Sequence, residues 1–146
     1  MAELSLYSHQ EVIPLTDELM ERMESAGREA MPLVLALALD ERSVLGQLDE
    51  VEVSLIDDET IADVHLRFMD IPGATDVITF DHGEIHISVE TARQQAEEFG
   101  SDFERELMLY IIHGLLHLAG YEDASEADHL RMNDLQQGVL EKVWGV

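Results

Sequence analysis

Residues 101–121, SDFERELMLYIIHGLLHLAGY, decide how this chain is read. From Leu107 onward the apolar residues Leu107, Met108, Leu109, Tyr110, Ile111, Ile112, Leu115, Leu116 and Leu118 cover nearly the whole circumference of a helix. A helix with no polar face belongs in the middle of a domain. Ser101 and Glu104 have capping-box spacing at its start, and Gly120 stops it after about Ala119. Two histidines interrupt this buried stretch. His113 and His117 are four residues apart, so they share one face about a turn from each other. Imidazoles at that spacing can converge on one cation. Gly120-Tyr121 turns the chain back, which lets a third ligand from 122–129 come over the pair; Glu122, Asp123, Asp128 and His129 all stand there. Three protein ligands leave a position for water, whose pKa a metal lowers toward neutrality. The competing reading makes both residues hydrogen-bonded core histidines. It suits one such residue better than two on the same face followed at once by an acidic turn.

Around this helix the spacing predicts strands at 3–7, 51–56, 77–80 and 85–89, the last two joined as a hairpin by Asp81-His82-Gly83. It predicts helices from Thr16 to about Ala26, over about 30–40 after Gly27, from Asp57 or Asp58 to about Phe68, over Thr91–Phe99, and from Ser125 to about Val143. Ile71-Pro72-Gly73 reads as a turn. A hairpin mixed with long helices, without strict alternation, indicates an α+β fold with its metal site on the central buried helix. With 146 residues and no repeat, linker or composition break, 1–146 is expected to be one domain.

Composition bounds the chemistry. There are no cysteines, so disulfides and thiolate metal sites are excluded and a metal must be held by His, Asp or Glu. MAELSLYSHQ shows no basic-then-apolar leader, and the longest apolar-rich stretch, Met31 to Leu39, is too short for a bilayer. A soluble, cytoplasmic protein without a membrane partner is expected. Eight basic residues against 32 acidic ones give a net charge of −24. Such a surface opposes long-range approach of phosphate backbones, unless a salty interior screens it or a small basic patch stays uncovered. Position 114 adds an exclusion: zinc proteases with this histidine spacing carry a glutamate base after the first histidine, and here it is Gly114.

His113-Gly114-Leu115-Leu116-His117-Leu118-Ala119-Gly120-Tyr121 resembles the HGxLHLxGYDH signature of the YbeY family of ribosomal-RNA maturation factors. Thr75 to Phe80 (TDVITF) resembles that family's TDVLSF strand, and Gly83 to Ser88 (GEIHIS) its GDIxIS strand; Met132 falls where the family has a methionine after the metal loop. The match covers roughly residues 51–135. The resemblance implies a small mixed sheet, here of four strands, packed by about five helices. It further implies one Zn2+ per chain held by three residues of the signature, and a single-strand-specific endoribonuclease. In the family this activity serves small-subunit rRNA 3′-end maturation and ribosome quality control, so ribosomal RNA and ribosome-associated proteins are the expected partners, and DNA is not.

Two positions depart from the family pattern. The third ligand is usually the last histidine of GYDH, which aligns without gaps to Asp123. Carboxylate is an acceptable zinc ligand, so the expected metal set is His113, His117 and Asp123, with His129 as the alternative if the loop folds back. The family's Tyr-Arg before the TDV strand falls at Phe68-Met69, leaving Arg67 as the arginine expected to act with His117 in catalysis. Asp76 and His86 could border the cleft, and Arg93 and Arg105 could meet phosphates. Two rival functions remain open: a non-catalytic ribosome-assembly module with a structural, closed zinc site, and another zinc hydrolase of the peptidase kind.

Overall fold

The computed structural model describes residues 3–39 and 43–145. In chain order it comprises β1 (Glu3–Ser8), α1 (Asp17–Ala36), α2 (Val44–Gln47), β2 (Glu50–Ile56), α3 (Asp58–Met69), β3 (Val77–Phe80), β4 (Glu84–Ser88), α4 (Val89–Phe99), α5 (Phe103–Leu118) and α6 (Glu126–Val143). The four strands form one sheet in the order β1-β2-β4-β3. β1 and β4 both run parallel to β2, and β3 returns antiparallel to β4. The fold is α+β, as the spacing predicts, its four-stranded sheet is mixed, as the family resemblance implies, and the described residues contain six helices against about five expected.

Each strand's side-chain period settles its faces. In β2, Val51, Val53 and Leu55 are fully buried while Glu50 and Glu52 are exposed. Ile85 and Ile87 of β4 join them under α1 and α5, making the main core. The other face of the sheet is a smaller cluster of Ile56, Ile61 and Ile78, lined by Val64 and Phe80 and covered by α3. Leu107, Met108, Ile111, Ile112, Leu115, Leu116 and Leu118 of α5 are all buried, which makes it the central helix. At about 1.5–3 kcal/mol for each fully buried large aliphatic side chain, this helix is the largest apolar contribution to the fold.

α5 lies very close to the sheet at one point. A Cβ on Gly114 would stand 2.7 Å from Ile85 Cδ1 and 2.9 Å from its Cγ2. Real side chains do not approach so closely, so a larger residue at 114 would lift the helix from β4.

Three expectations are corrected. The helices expected at 16–26 and 30–40 are one helix, α1, running through Gly27 and Pro32. Gly27 is a packing residue rather than a stop: a Cβ there would meet Leu4 Cδ2 at 2.9 Å. Residue 40, at the end of the second expected helix, lies outside the described residues. Ser101 does not cap α5, which starts at Phe103 after Asp102 without a side-chain cap; its hydroxyl donates to Glu106 Oε1 (3.2 Å). The short α2, capped by Ser43, has no counterpart among the expected elements. The caps on Thr16, Asp57 and Ser125 form as the sequence indicates, each side chain accepting a backbone N–H three residues on.

Gly114→Ala should lower the urea midpoint, because overpacking against Ile85 at about 1–3 kcal/mol exceeds the helix-propensity gain of up to about 1 kcal/mol. Gly138→Ala, on α6 with open space around it, should stabilise by about 0.5–1 kcal/mol and so raise the midpoint. Adding Ile85→Val to Gly114→Ala should destabilise less than the sum of the two single changes. Strict additivity, or a midpoint for Gly114→Ala at or above wild type, would contradict the close packing.

Candidate metal centre

α5 presents His113 and His117 toward the open edge of the sheet, where β3 is the outer strand. The two imidazoles share a cavity of about 340 Å³ with Val77, Ile78 and Thr79 of β3, Met69 at the end of α3, and Glu122, Asp123 and Ala124 of the turn after α5. That turn is firmly made. Gly120 takes φ +109, Tyr121 N–H donates to Leu116 O (3.1 Å), and the Tyr121 hydroxyl donates to Leu37 O at the end of α1 (2.6 Å). The left-handed glycine reverses the chain at little steric cost. Residues 122–124 are thereby held over the histidine face, as the sequence indicates.

A smaller cavity of about 120 Å³ lies on the other side of His113, bounded by Tyr110, Asp123, His129, Met132 and Gln136, among others. His113 Nδ1 donates to Gln136 Oε1 (3.1 Å), a bond from α5 to α6. With Nδ1 carrying the proton of this bond, the Nε2 lone pair is free. Metal-binding histidines are held in just this way by an outer carbonyl or carboxylate. Asp123 Oδ1 accepts from His129 Nδ1 (2.9 Å), so the first turn of α6 folds back beside the acidic loop and both candidate third ligands sit at the same place. Tyr110 is buried, and this, with Asp76 and Glu106 nearby, holds its phenol far above the ordinary tyrosine range. It is a neutral hydrogen-bonding wall and not a base.

The donor types fit a divalent cation: two imidazoles, one with its outer nitrogen already engaged, and a carboxylate on the same cavity wall. Among the described residues no three His, Asp or Glu side chains are gathered tightly enough to hold an ion as they stand. Asp123 is turned to His129, its hydrogen-bond partner at 2.9 Å.

The remaining sequence candidates are dispersed. Arg67 lies near the end of α3 and does not line either cavity; it pairs with Asp63 one turn back (3.3 Å) and is largely exposed. Asp76 accepts from Val77 N–H (2.8 Å) and Thr75 Oγ1 (3.3 Å), capping the start of β3, and also borders the smaller cavity. His86 faces α3, edge-on to Phe80, with Nε2 on Glu84 (3.1 Å). Those histidine contacts are what hold the Glu84 carboxyl below its usual range, His86 first. Arg105 Nη2 donates to Gln137 Oε1 (2.9 Å), joining α5 to α6. Sequence reasoning missed Gln136, which nothing local distinguishes from any helix glutamine. It also missed Tyr110 as a site wall, although the spacing 110, 113, 117 puts it on the histidine face.

A buried helix carrying two histidines to a cavity beside an edge strand is an α+β arrangement whose family comparison with known proteins gives. Residues 16–144 match the family model described as Endoribonuclease YbeY. Endoribonuclease YbeY of Caldanaerobacter subterraneus subsp. tengcongensis is 30% identical, covering 88% of this chain and 96% of that protein. That of Symbiobacterium thermophilum is 32% identical, over 94% and 95%. The solution structure of TM1509 from Thermotoga maritima superposes with a TM-score of 0.65 at 26% identity, covering 97% of this chain and 89% of that one. The chain belongs to the endoribonuclease YbeY family. No helix among the described residues is long and apolar enough to cross a membrane.

The Gln136 contact makes a prediction that needs no metal. In heteronuclear NMR of chelated protein at mildly alkaline pH, His113 should be the Nδ1–H tautomer. In Gln136→Ala it should move toward the commoner Nε2–H form, with His117 unchanged. An Nε2–H His113 in the wild type would mean that Gln136 does not set the tautomer.

Proposed function

We propose that this chain is a metal-dependent, single-strand-specific endoribonuclease acting in small-subunit rRNA 3′-end maturation and ribosome quality control, working as one domain in the cytoplasm. The observation that carries this reading is that a member of the endoribonuclease YbeY family brings His113, His117 and Asp123 to the wall of one open cavity.

His113, His117 and Asp123 would hold the ion, zinc in our reading, with Gln136 keeping the His113 Nε2 lone pair aimed at it. Bound there, the ion would supply Lewis acidity to a phosphodiester. The chain's own groups do the rest. The β3 wall and Met69 would line the path of the strand, and Glu122, on the same cavity wall, would be the carboxylate that takes a proton. Arg67 is the cation nearest in sequence to this wall. Its exposed pair with Asp63 is worth at most about 1 kcal/mol, so turning onto a phosphate costs little. Gly114 makes the peptidase alternative poorer still, since a glutamate there would meet Ile85. The Asp123–His129 contact favours a second reading, a closed site with four protein ligands and no cleavage, in which the chain is a ribosome-assembly module.

Elemental analysis of protein purified without added metal should give one zinc per chain. His113→Ala and His117→Ala should each lose it, and Asp123→Ala should weaken metal binding beyond the roughly 10–100-fold of an outer-shell change. His129→Ala should leave occupancy nearly intact and cleavage of single-stranded ribosomal RNA active. The nuclease reading fails if highly purified wild type binds ribosomes and cuts nothing at any salt. Metal loss in His129→Ala with full occupancy in Asp123→Ala would exchange the third ligand.

A further inference from the structure

The C-terminal end of α3 leaves Leu66, Phe68, Met69 and Ile71 in solvent within six residues, Phe68 at 65% exposure. The other exposed large apolar residues, among them Tyr7, Leu39, Phe99 and Leu130, are dispersed along the chain. A concentration of apolar surface of this kind marks an interaction site. Phe68 is not loose. Its ring meets Phe80 edge-on (5.4 Å, 75°), Phe80 is stacked on His82 (5.5 Å, 21°), and His86 closes on Phe80 at 5.6 Å and 89°. Arg67 carries its guanidinium 5.9 Å from the Phe68 centroid. The patch is continuous with the metal centre, because Met69 is itself part of the cavity wall that contains His113 and His117.

We propose that this end of α3 is a nucleobase-stacking platform, with Phe68 its outermost ring, for the single-stranded RNA that enters the cavity. The proposal rests on the reading of the cavity as an RNA-cutting site. Continuity with the cavity chooses this occupant, since Met69 belongs both to the patch and to the wall shared with His113 and His117, and charge decides how it is held. At −24, the surface cannot grip a strand mainly through its phosphates, and two copies of the chain repel each other. Stacking on a π-face needs no net charge and tolerates any base. Arg67 beside the ring supplies a local cation where an adjoining phosphate would lie. A duplex keeps its bases inside, so Phe68 can meet only unpaired ones, which places strand selection on the protein surface and outside the cavity.

The test uses full-length metal-loaded protein and a short fluorescein-labelled phosphorothioate oligoadenylate, with cleavage of the matching natural strand followed separately. Phe68→Ala should weaken binding about 5- to 100-fold and raise KM with kcat nearly kept. Phe68→Trp should keep wild-type affinity, with indole emission quenched on binding. Scanning one abasic position along the strand should find a place that weakens wild type but not Phe68→Ala further. Equal affinity of wild type and Phe68→Ala, with cleavage intact, overturns the platform and leaves the nuclease standing. Wild type that neither binds nor cuts any single strand removes the nuclease reading itself. Should Phe68→Ala instead abolish self-association, or binding of a protein partner, with RNA affinity unchanged, the patch is a protein interface and the proposal is wrong.

Discussion

The contact between Gly114 and Ile85 fixes where everything else in the site can be. A helix as apolar as α5 has to be enclosed, and the missing side chain at 114 lets its backbone settle against β4. With the helix seated there, His113 and His117, which lie together on one flank of the contact in helical projection, emerge at the rim of the sheet beside the edge strand β3. The same contact removes the position that a zinc protease uses for its base. Packing and chemistry are therefore decided by one residue. The glycine that brings the helix close to the sheet also obliges any catalytic proton acceptor to come from elsewhere, and the turn at 122–124 is the segment that borders the cavity from the helix end.

Much of this was legible because α5 is extreme. Its unbroken apolar circumference can be explained only by burial, and a polar pair at i, i+4 within it stands out against that background. The β3–β4 hairpin was similarly plain, since Asp81-His82-Gly83 between two β-branched runs permits little else and Gly83 takes φ +104. Gly27 and Pro32 misled for a physical reason. Local propensity counts both as interruptions, but the value of Gly27 lies in tertiary contact with Leu4 on β1, which no window of sequence around residue 27 contains. Ser101 fails likewise: its hydroxyl has a better acceptor in Glu106 than a capping role offers.

The placement of the candidate ligands was legible in the sequence, and that of the residues supporting them was not. His113, His117 and Asp123 share a segment of eleven residues, so helix geometry and one turn suffice to bring them to one cavity. Gln136 is 23 residues from His113 and reaches it only because α6 packs back along α5. Its contribution is a hydrogen bond across two helices, and periodicity carries no record of such a bond. The Asp123–His129 contact belongs between these cases. The ungapped register favoured the aspartate and treated the histidine as requiring a folded-back loop, and the start of α6 at Glu126 supplies that fold. Two residues competing for one role in sequence are neighbours in space.

The acidity of the chain limits how an RNA can be held. Counterion release, the usual source of affinity for a polyanion, scales with the number of cationic contacts, and eight basic residues in 146 offer few. Several are already committed: Arg22 lies over Trp144 at 3.8 Å, Arg28 pairs with Glu24 at 3.0 Å, and Arg105 is bonded to Gln137. The cavity wall itself adds Glu122 and Asp123. On the readings proposed above, a strand meeting this surface would have two sources of attraction that do not grow with net charge: a divalent cation held by the histidines, and aromatic rings open to its bases. The first would act on the scissile phosphate and the second on neighbouring nucleotides. Duplex RNA, with its bases enclosed, could use the first but not the second, so it would meet the repulsion of the surface with less to offset it. A preference for unpaired RNA, as proposed, would then follow from the charge of the protein as much as from the shape of its site.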